Sequence, residues 1–458
     1  MKKTYVLDTN VLIQAPYALQ CFEDNTVVLP LVVLEELDGL KKAEGERGAN
    51  ARAAIRVLEE LRLKGDLFEG TRLPGGGLLR IERNFVHVEL PPDLPEDKAD
   101  NRILMVCRGL LEQSPEDKVI LVTKDLVLRI KADILGIQAE DFTREQVNPD
   151  DALYTGRAQV YLPEELAKEF KKNGVPADAV YEADENGEKK KPLLVENEFL
   201  VLKLDQSSKK TLLGRVEGDR ILPLLYKKSK PYGVSPRNVG QYFMQEALMT
   251  GADKAPLVII KGMAGTAKTF YSLAVGLEKL YNNPNGEYRR IIISRPNAQF
   301  DDDIGFLPGD EQEKIAPMMR PVIDNLEQLL DSDEGRRYEN EMLLGDKVSE
   351  IFERGLIQTE ALNFIRGRSI VKTYLIIDEA QNMTPNQVKG IITRAGQGTK
   401  IILLGDPQQI DRPFLNERTN GLTYAAKYMK GSPLCWQISL SAQECERSML
   451  AMDAVKRL

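Results

Sequence analysis

Residues 256–270 read PLVIIKGMAGTAKTF, and the segment FYSLAVGLEKL that begins inside this stretch carries apolar residues at helical spacing. An apolar strand, a glycine-containing turn and a helix, in that order, bring backbone N–H groups and a helix N-terminus to one point. That is an anion site suited to phosphate. Gly262, Met263, Ala264, Gly265, Thr266 and Ala267 form the cradle. Lys268 is placed to reach the β and γ phosphates of a nucleotide, and Thr269 to ligate magnesium. Ala267 stands where the usual G-x-x-x-x-G-K-[ST] spacing has its second glycine. If the backbone there is already helical, the methyl group is harmless. If it needs positive φ, the methyl costs about 1 kcal/mol or more.

Two downstream segments supply what a hydrolytic site needs. TYLIIDEAQ is a buried strand ending in adjacent acids. Asp378 would hold magnesium, and Glu379 would orient or deprotonate the attacking water. In IILLGDPQQ, Gly405 allows a tight turn and Gln409 is placed to sense the γ phosphate. The DEAQ and GDxxQ pairing resembles a superfamily 1 helicase core. YGVSPRNVGQ, ISRPNAQFDDDIGFLPGDEQEKIAPMMRPVIDNL and LSAQECERSML sharpen the resemblance to the PhoH-like ATPases over residues 231–458. That resemblance implies ATP and Mg²⁺ as ligands. It makes Gln241 an adenine-reading glutamine and Arg295 and Arg447 candidates for phosphate contact.

The N-terminal 140 residues alternate strand-like runs (TYVL, TVVL, VILVT) with helical ones (EELDGLKK, ARAAIRVLEELRLK, NRILMVCRGLL), broken by the loop TRLPGGGLLR. Such alternation implies a parallel sheet. Asp8 and Asp125 follow strands, Asp100 opens a helix and Glu36 lies early in another. Acids at the carboxyl edge of a parallel sheet are at a ligand-binding edge, and four converging carboxylates call for a divalent, oxygen-bound cation. VLDTNVLI, LPLVVLEELDGLKK, DNRIL and LVTKDLVLRIKA together resemble the PIN-domain ribonucleases. The resemblance implies that Asp8, Glu36, Asp100 and Asp125 hold Mg²⁺ or Mn²⁺ and cleave single-stranded RNA, with Asn10 and Thr123 in support. Glu35 is the less favoured alternative to Glu36. A haloacid-dehalogenase-type phosphatase would need an aspartate where this chain has Asn10.

The expected architecture is α/β: a PIN-like parallel-sheet domain (1–140), a connector (141–190), a small β-rich module (191–230) and a RecA-like P-loop domain (231–458). An oligonucleotide-binding barrel is one reading of the β-rich module. The single histidine, His87, argues against a Ser-His-Asp triad, an HExxH zinc site and a multi-histidine metal centre. Cys21, Cys107, Cys435 and Cys445 lack CxxC spacing and read as reduced thiols of a cytoplasmic protein. No apolar run approaches the roughly 18 residues that span a bilayer, and the N-terminus does not read as a signal peptide. The net charge of −8 excludes a uniformly basic coat but not local basic grooves.

After residue 231 there is room for one RecA-like core. A single core must borrow an arginine from a neighbouring copy or use its own, which predicts a closed homo-oligomeric ring, a hexamer, with Arg447 or Arg295 entering the neighbour's site. Single-stranded RNA could thread that ring past KKSK (227–230), Arg289–Arg290, Arg366 and Arg368. Taken whole, the chain resembles a PIN–PhoH fusion, associated with ATP-dependent RNA unwinding and cleavage. The competing expectations are an ATP-binding switch whose PIN domain only docks RNA, and an ATPase that remodels proteins.

Overall fold

The computed structural model describes residues 3–22, 24–43, 45–73, 76–142, 154–183, 188–205, 207–281, 286–296, 311–331, 341–360, 362, 365, 370–412 and 415–445. They fall into two compact units, one over the described residues up to 142 and one from 154 onward.

The first unit runs β1 (Lys3–Leu7), α1 (Thr9–Gln14), β2 (Thr26–Pro30), α2 (Leu31–Leu40), α3 (Gly45–Arg62), β3 (Thr71–Arg72), β4 (Leu78–Glu82), α4 (Ala99–Gln113), β5 (Lys118–Val122), α5 (Leu126–Ile134) and β6 (Gln138–Glu140). The strands lie in the order β3-β4-β2-β1-β5-β6, parallel except for β3 against β4. Val6, Leu7, Val27, Val28, Leu29 and Leu121 are fully buried, as expected of central strands covered on both faces. The stretch 71–80, expected as an interrupting loop, carries β3 and the start of β4. LLRIE alternates half-buried and buried residues and pairs with β2 through Thr26↔Leu78. The adjacent glycines obscure that alternation in the sequence. His87 lies in a turn, exposed, with its ring 5.7 Å from that of Phe85.

The second unit opens with β7 (Arg157–Leu162), α6 (Ala167–Asn173), β8 (Val175–Pro176), a small pair β9 (Glu182–Ala183) and β10 (Lys189–Lys190), then β11 (Phe199–Leu204), β12 (Ser207–Glu217) and β13 (Arg220–Pro223). Strands from the expected connector and from the expected β-rich module share one sheet, β7-β11-β12-β13-β8. One face buries a small core around Val160, Phe170, Leu200, Leu202 and Ile221. The other face presents Phe199 to Phe243 (centroids 4.9 Å apart) and Arg215 to Trp436, with the guanidinium 4.0 Å from the ring centroid. The module therefore completes the core of the domain that follows it.

That domain contains α7 (Val239–Met249), β14 (Leu257–Lys261), α8 (Lys268–Tyr281), β15 (Arg290–Ser294), α9 (Glu311–Asp331), α10 (Glu341–Glu353), β16 (Ile357–Thr359), β17 (Thr373–Ile377), α11 (Pro385–Ile392), β18 (Lys400–Gly405), α12 (Gly421–Tyr428) and β19 (Cys435–Ser439). Its sheet is parallel throughout, in the order β16-β15-β17-β18-β14-β19. The four strands expected from sequence form its centre. The two edge strands are less legible because β16 is short and β19 (CWQIS) carries Gln437 in mid-strand. Lys400, fully buried at the start of β18, donates to the carbonyls of Ala247, Thr250 and Ala255 at 2.6–2.9 Å and so closes the C-terminal end of α7. Among the described residues no helix is long and apolar enough to cross a membrane.

Candidate nucleotide and nuclease sites

The parallel sheet of the second unit sets the carboxyl ends of β14, β18, β17 and β15 side by side. Loops are pinned across that edge by Gly262 N–H to Gly405 O (3.0 Å) and Asp378 N–H to Ser294 O (2.9 Å). The result is one cleft lined by Lys268, Thr269, Arg295, Asp378, Glu379 and Gln409, among others. Lys268 opens α8 and is buried. Its Nζ donates to the carbonyls of Gly262 (2.5 Å) and Met263 (2.9 Å), and burial lowers its pKa. Thr269 Oγ1 donates to Asp378 Oδ1 at 3.1 Å. Asp378 is also buried, and burial followed by the charge of Glu379 raises its pKa. A carboxylate held up in this way, with a hydroxyl beside it, fits a divalent cation. Thr269 and Asp378 would hold Mg²⁺, which when bound neutralises charge on the phosphate oxygens.

Within the loop, Gly265 has φ 86° and Ala267 has φ 61°. Alternating backbone hand turns successive N–H groups into one concavity. The harmless case for Ala267 is therefore not the one adopted, since a non-glycine residue in the left-handed region costs roughly 1–2 kcal/mol. Gly262 is needed for space instead: a Cβ there would lie 2.9 Å from Leu440 Cβ. Gly405, expected to serve a tight turn, likewise serves close approach, because a Cβ would come within 2.2 Å of Gln381 Oε1. Ala267→Gly is expected to keep or raise ATP turnover and not to lower the thermal midpoint. A large fall in turnover would show that the methyl group is a required part of the cradle.

Glu379 follows Asp378 with φ 55°. Its Oε1 accepts from Arg295 Nη2 at 2.9 Å and its Oε2 from Gln381 Nε2 at 2.6 Å. Gln381 is fully buried. It also donates to Gln409 O (2.7 Å) and accepts from Asp406 N–H (3.1 Å), which ties the acid loop to the sensor loop. Gln381 ends the DEAQ pattern, and nothing in the local sequence marks the link it makes. Arg295 lines this chain's own cleft. Gln241 is buried on α7 with Oε1 accepting from Arg237 N–H (2.8 Å), and it does not line the cleft. Arg447, Arg366 and Arg368 lie outside the described residues.

At the carboxyl edge of the first sheet, Asp8 follows β1 and is buried. Burial is the main cause of its pKa rising to about 6; Thr123 and the Thr9 amide pull it down, and the nearby charges of Asp100 and Glu36 add to the rise. Thr123 Oγ1 donates to Asp8 Oδ2 (2.6 Å) and accepts from Asn10 Nδ2 (3.2 Å). Thr9 Oγ1 hydrogen-bonds to Glu36 Oε2. Glu35, by contrast, is exposed and lies 3.7 Å from the Arg102 guanidinium.

Of the four expected carboxylates, Asp8, Glu36 and Asp100 lie near one another, since the charges of the last two act on Asp8. Asp125 is exposed and spends Oδ1 capping α5, accepting from Val127 and Leu128 N–H (2.7 and 3.3 Å). Asp100 is paired with Lys131 Nζ at 3.1 Å. Among the described residues no group of three or more acids, histidines or cysteines is arranged to hold a metal ion. Lys131 therefore competes with a divalent cation for Asp100, while Asp8 and Glu36 are the other acids that would hold one. Removing that competitor, Lys131→Ala, is expected to tighten Mn²⁺ binding about 3- to 10-fold in titration. Unchanged or weaker binding would show that Asp100 is no ligand.

The folds and clefts define a PIN-type α/β domain followed by a P-loop NTPase domain of the hydrolase class. Comparison agrees: residues 5–143 match the PIN domain family and residues 233–458 match the PhoH-like protein family. The protein PhoH2 of Bacillus subtilis is 39% identical over 100% of both chains. The PhoH2 proteins of Mycolicibacterium smegmatis (30% identical, 98% of this chain and 95% of that one) and Thermobispora bispora (29%, 96% and 94%) are also similar. The chain belongs to the PhoH2 family.

Proposed function

We propose that this protein is a cytoplasmic ATP-driven helicase or translocase on single-stranded RNA, coupled to ribonuclease action by its PIN unit. The observation that carries the ATPase half is the gathering of Lys268, Thr269, Asp378, Glu379 and Gln409, drawn from three separate loops, around one cleft. In hydrolysis the water oxygen bonds to the γ phosphorus, the bond from that phosphorus to the β–γ bridging oxygen breaks, and ADP departs with the bonding electrons. Glu379 takes the proton of the water, and Lys268 offsets negative charge on the phosphates. RNA cleavage by the PIN unit is what the likeness to PIN ribonucleases supports.

The working form is a closed ring of copies, a hexamer, in which Arg447 is the candidate to complete a neighbour's site. ATP turnover is expected to rise several-fold when single-stranded RNA is added, and light scattering with ATP and magnesium is expected to report the ring. A turnover indifferent to RNA would remove RNA as the substrate of the motor, and a chain that stays monomeric would remove the ring. A second reading, in which the PIN unit docks RNA without cutting it, is favoured by the Lys131–Asp100 pair and by the use of Asp125 as a helix cap.

A further inference from the structure

We propose that Arg295 is a two-position residue that exchanges the Glu379 carboxylate for the terminal phosphate of a nucleoside triphosphate. The site would then recognise the triphosphate by opening its own ion pair. The proposal rests on the nucleotide-hydrolysing reading of the cleft and adds to it how a triphosphate is told from a diphosphate.

Arg295 directly follows β15, and its Nη2 lies 2.9 Å from Glu379 Oε1. Both side chains line the cleft that holds Lys268, Thr269 and Gln409, so a terminal phosphate bound by Lys268 would arrive beside this pair. The arginine and glutamate side chains are 25% and 31% exposed, and ion pairs this open to solvent are only modestly attractive. A terminal phosphate carries more negative charge than a carboxylate and offers three acceptor oxygens. A guanidinium fork pairs with either group in the same bidentate geometry. The phosphate should therefore win the competition.

The second hold on Glu379 makes the exchange useful. Gln381 Nε2 grips Oε2 at 2.6 Å, while Gln381 is itself anchored to Gln409 O and Asp406 N–H. When Arg295 leaves Oε1, the carboxylate is not cast loose. Oε2 stays held and Oε1 becomes the oxygen able to accept a proton from water. The left-handed backbone of Glu379 (φ 55°) is fastened on both sides, by Asp378 N–H to Ser294 O and by Asn382 N–H to Glu379 O, each 2.9 Å. A diphosphate lacks the group that competes for Arg295, so the pair would persist and Glu379 would remain engaged.

The test is a double-mutant cycle on the full chain with magnesium, reading binding rather than turnover. The probes are a fluorescent non-hydrolysable ATP analogue and ADP. Glu379→Gln removes the competing charge. It is expected to tighten the analogue about 3- to 10-fold while leaving ADP within about 2-fold. In the Arg295→Ala background the same substitution is expected to shift neither ligand. Equal tightening in both backgrounds, or equal tightening of ADP and analogue, overturns the exchange while leaving the nucleotide site standing. Failure of the wild-type chain to bind either nucleotide overturns both. Circular dichroism of each variant establishes that the fold is retained.

Discussion

Lys268→Ala is expected to lower ATP turnover at least about 10²-fold, the scale seen when a single preorganised charge-stabilising donor is removed from a reacting site. The effect is large because Lys268 is buried at the head of α8, where the low-dielectric surroundings strengthen its pull on phosphate. ATP affinity should also fall, by about 10- to 100-fold, since hydrogen bonds to charged groups contribute about 1.5–3 kcal/mol. The fold should survive. The partners lost are the carbonyls of Gly262 and Met263 and the Thr266 hydroxyl, and the loop keeps Thr266 Oγ1 to Met263 O (2.7 Å) and Gly262 N–H to Gly405 O. Turnover within a few-fold of wild type in a coupled phosphate-release assay would mean that this loop is not where the chain hydrolyses nucleotide.

Asp8→Asn is expected to lower cleavage of labelled single-stranded RNA by at least about 10²-fold in Mg²⁺ or Mn²⁺, because it removes the most buried acid of the N-terminal edge. The same substitution should stabilise the chelator-treated protein. Its sign follows from proton binding. The folded pKa of about 6 lies above the ordinary 3.8, so the folded state binds more protons than the unfolded one between those values. Stability is lost as pH rises through that window and stays lower above it. An asparagine retains the shape and can still accept from Thr123 but carries no charge. At pH 8 the variant should melt higher, by an amount on the order of 1–2 kcal/mol. Below pH 4 the two proteins should converge. Cleavage unaffected by the change would assign the PIN unit to docking. A lower midpoint at pH 8 would show that the Asp8 carboxylate is stabilised by its surroundings.

The nucleotide cleft is more legible in the sequence than the acidic edge of the first unit, for a physical reason. Phosphate binding by a loop depends on backbone N–H groups and on residues a few positions apart, so PLVIIKGMAGTAKTF announces it locally. The acid motifs could be ordered along the chain because each ends a long, fully buried strand such as Thr373–Ile377. At the N-terminal edge, the use of Asp100 depends on what approaches it from a distant segment. Lys131 lies 31 positions from Asp100, and no pattern in DNRIL or LVLRIKA pairs them. Asp125 has two uses open to an acid after a strand, metal ligand or helix cap, and its Oδ1 caps α5 through the amides of Val127 and Leu128.

Taken alone, the order of residues determined the α/β class, the parallel central strands, the cradle around Lys268 and the identities of the acids that follow β1, β5 and β17. Apolar periodicity and short-range spacing carry that information, because strand burial and loop geometry are local demands. Tertiary structure alone decided that Ala267 is left-handed, that Gly405 makes room for Gln381, that β7, β8, β11, β12 and β13 share one sheet, and that Arg295 rests on Glu379. The last three depend on contacts between segments far apart in the chain, and side-chain charge or size at one position does not specify which distant group will meet it.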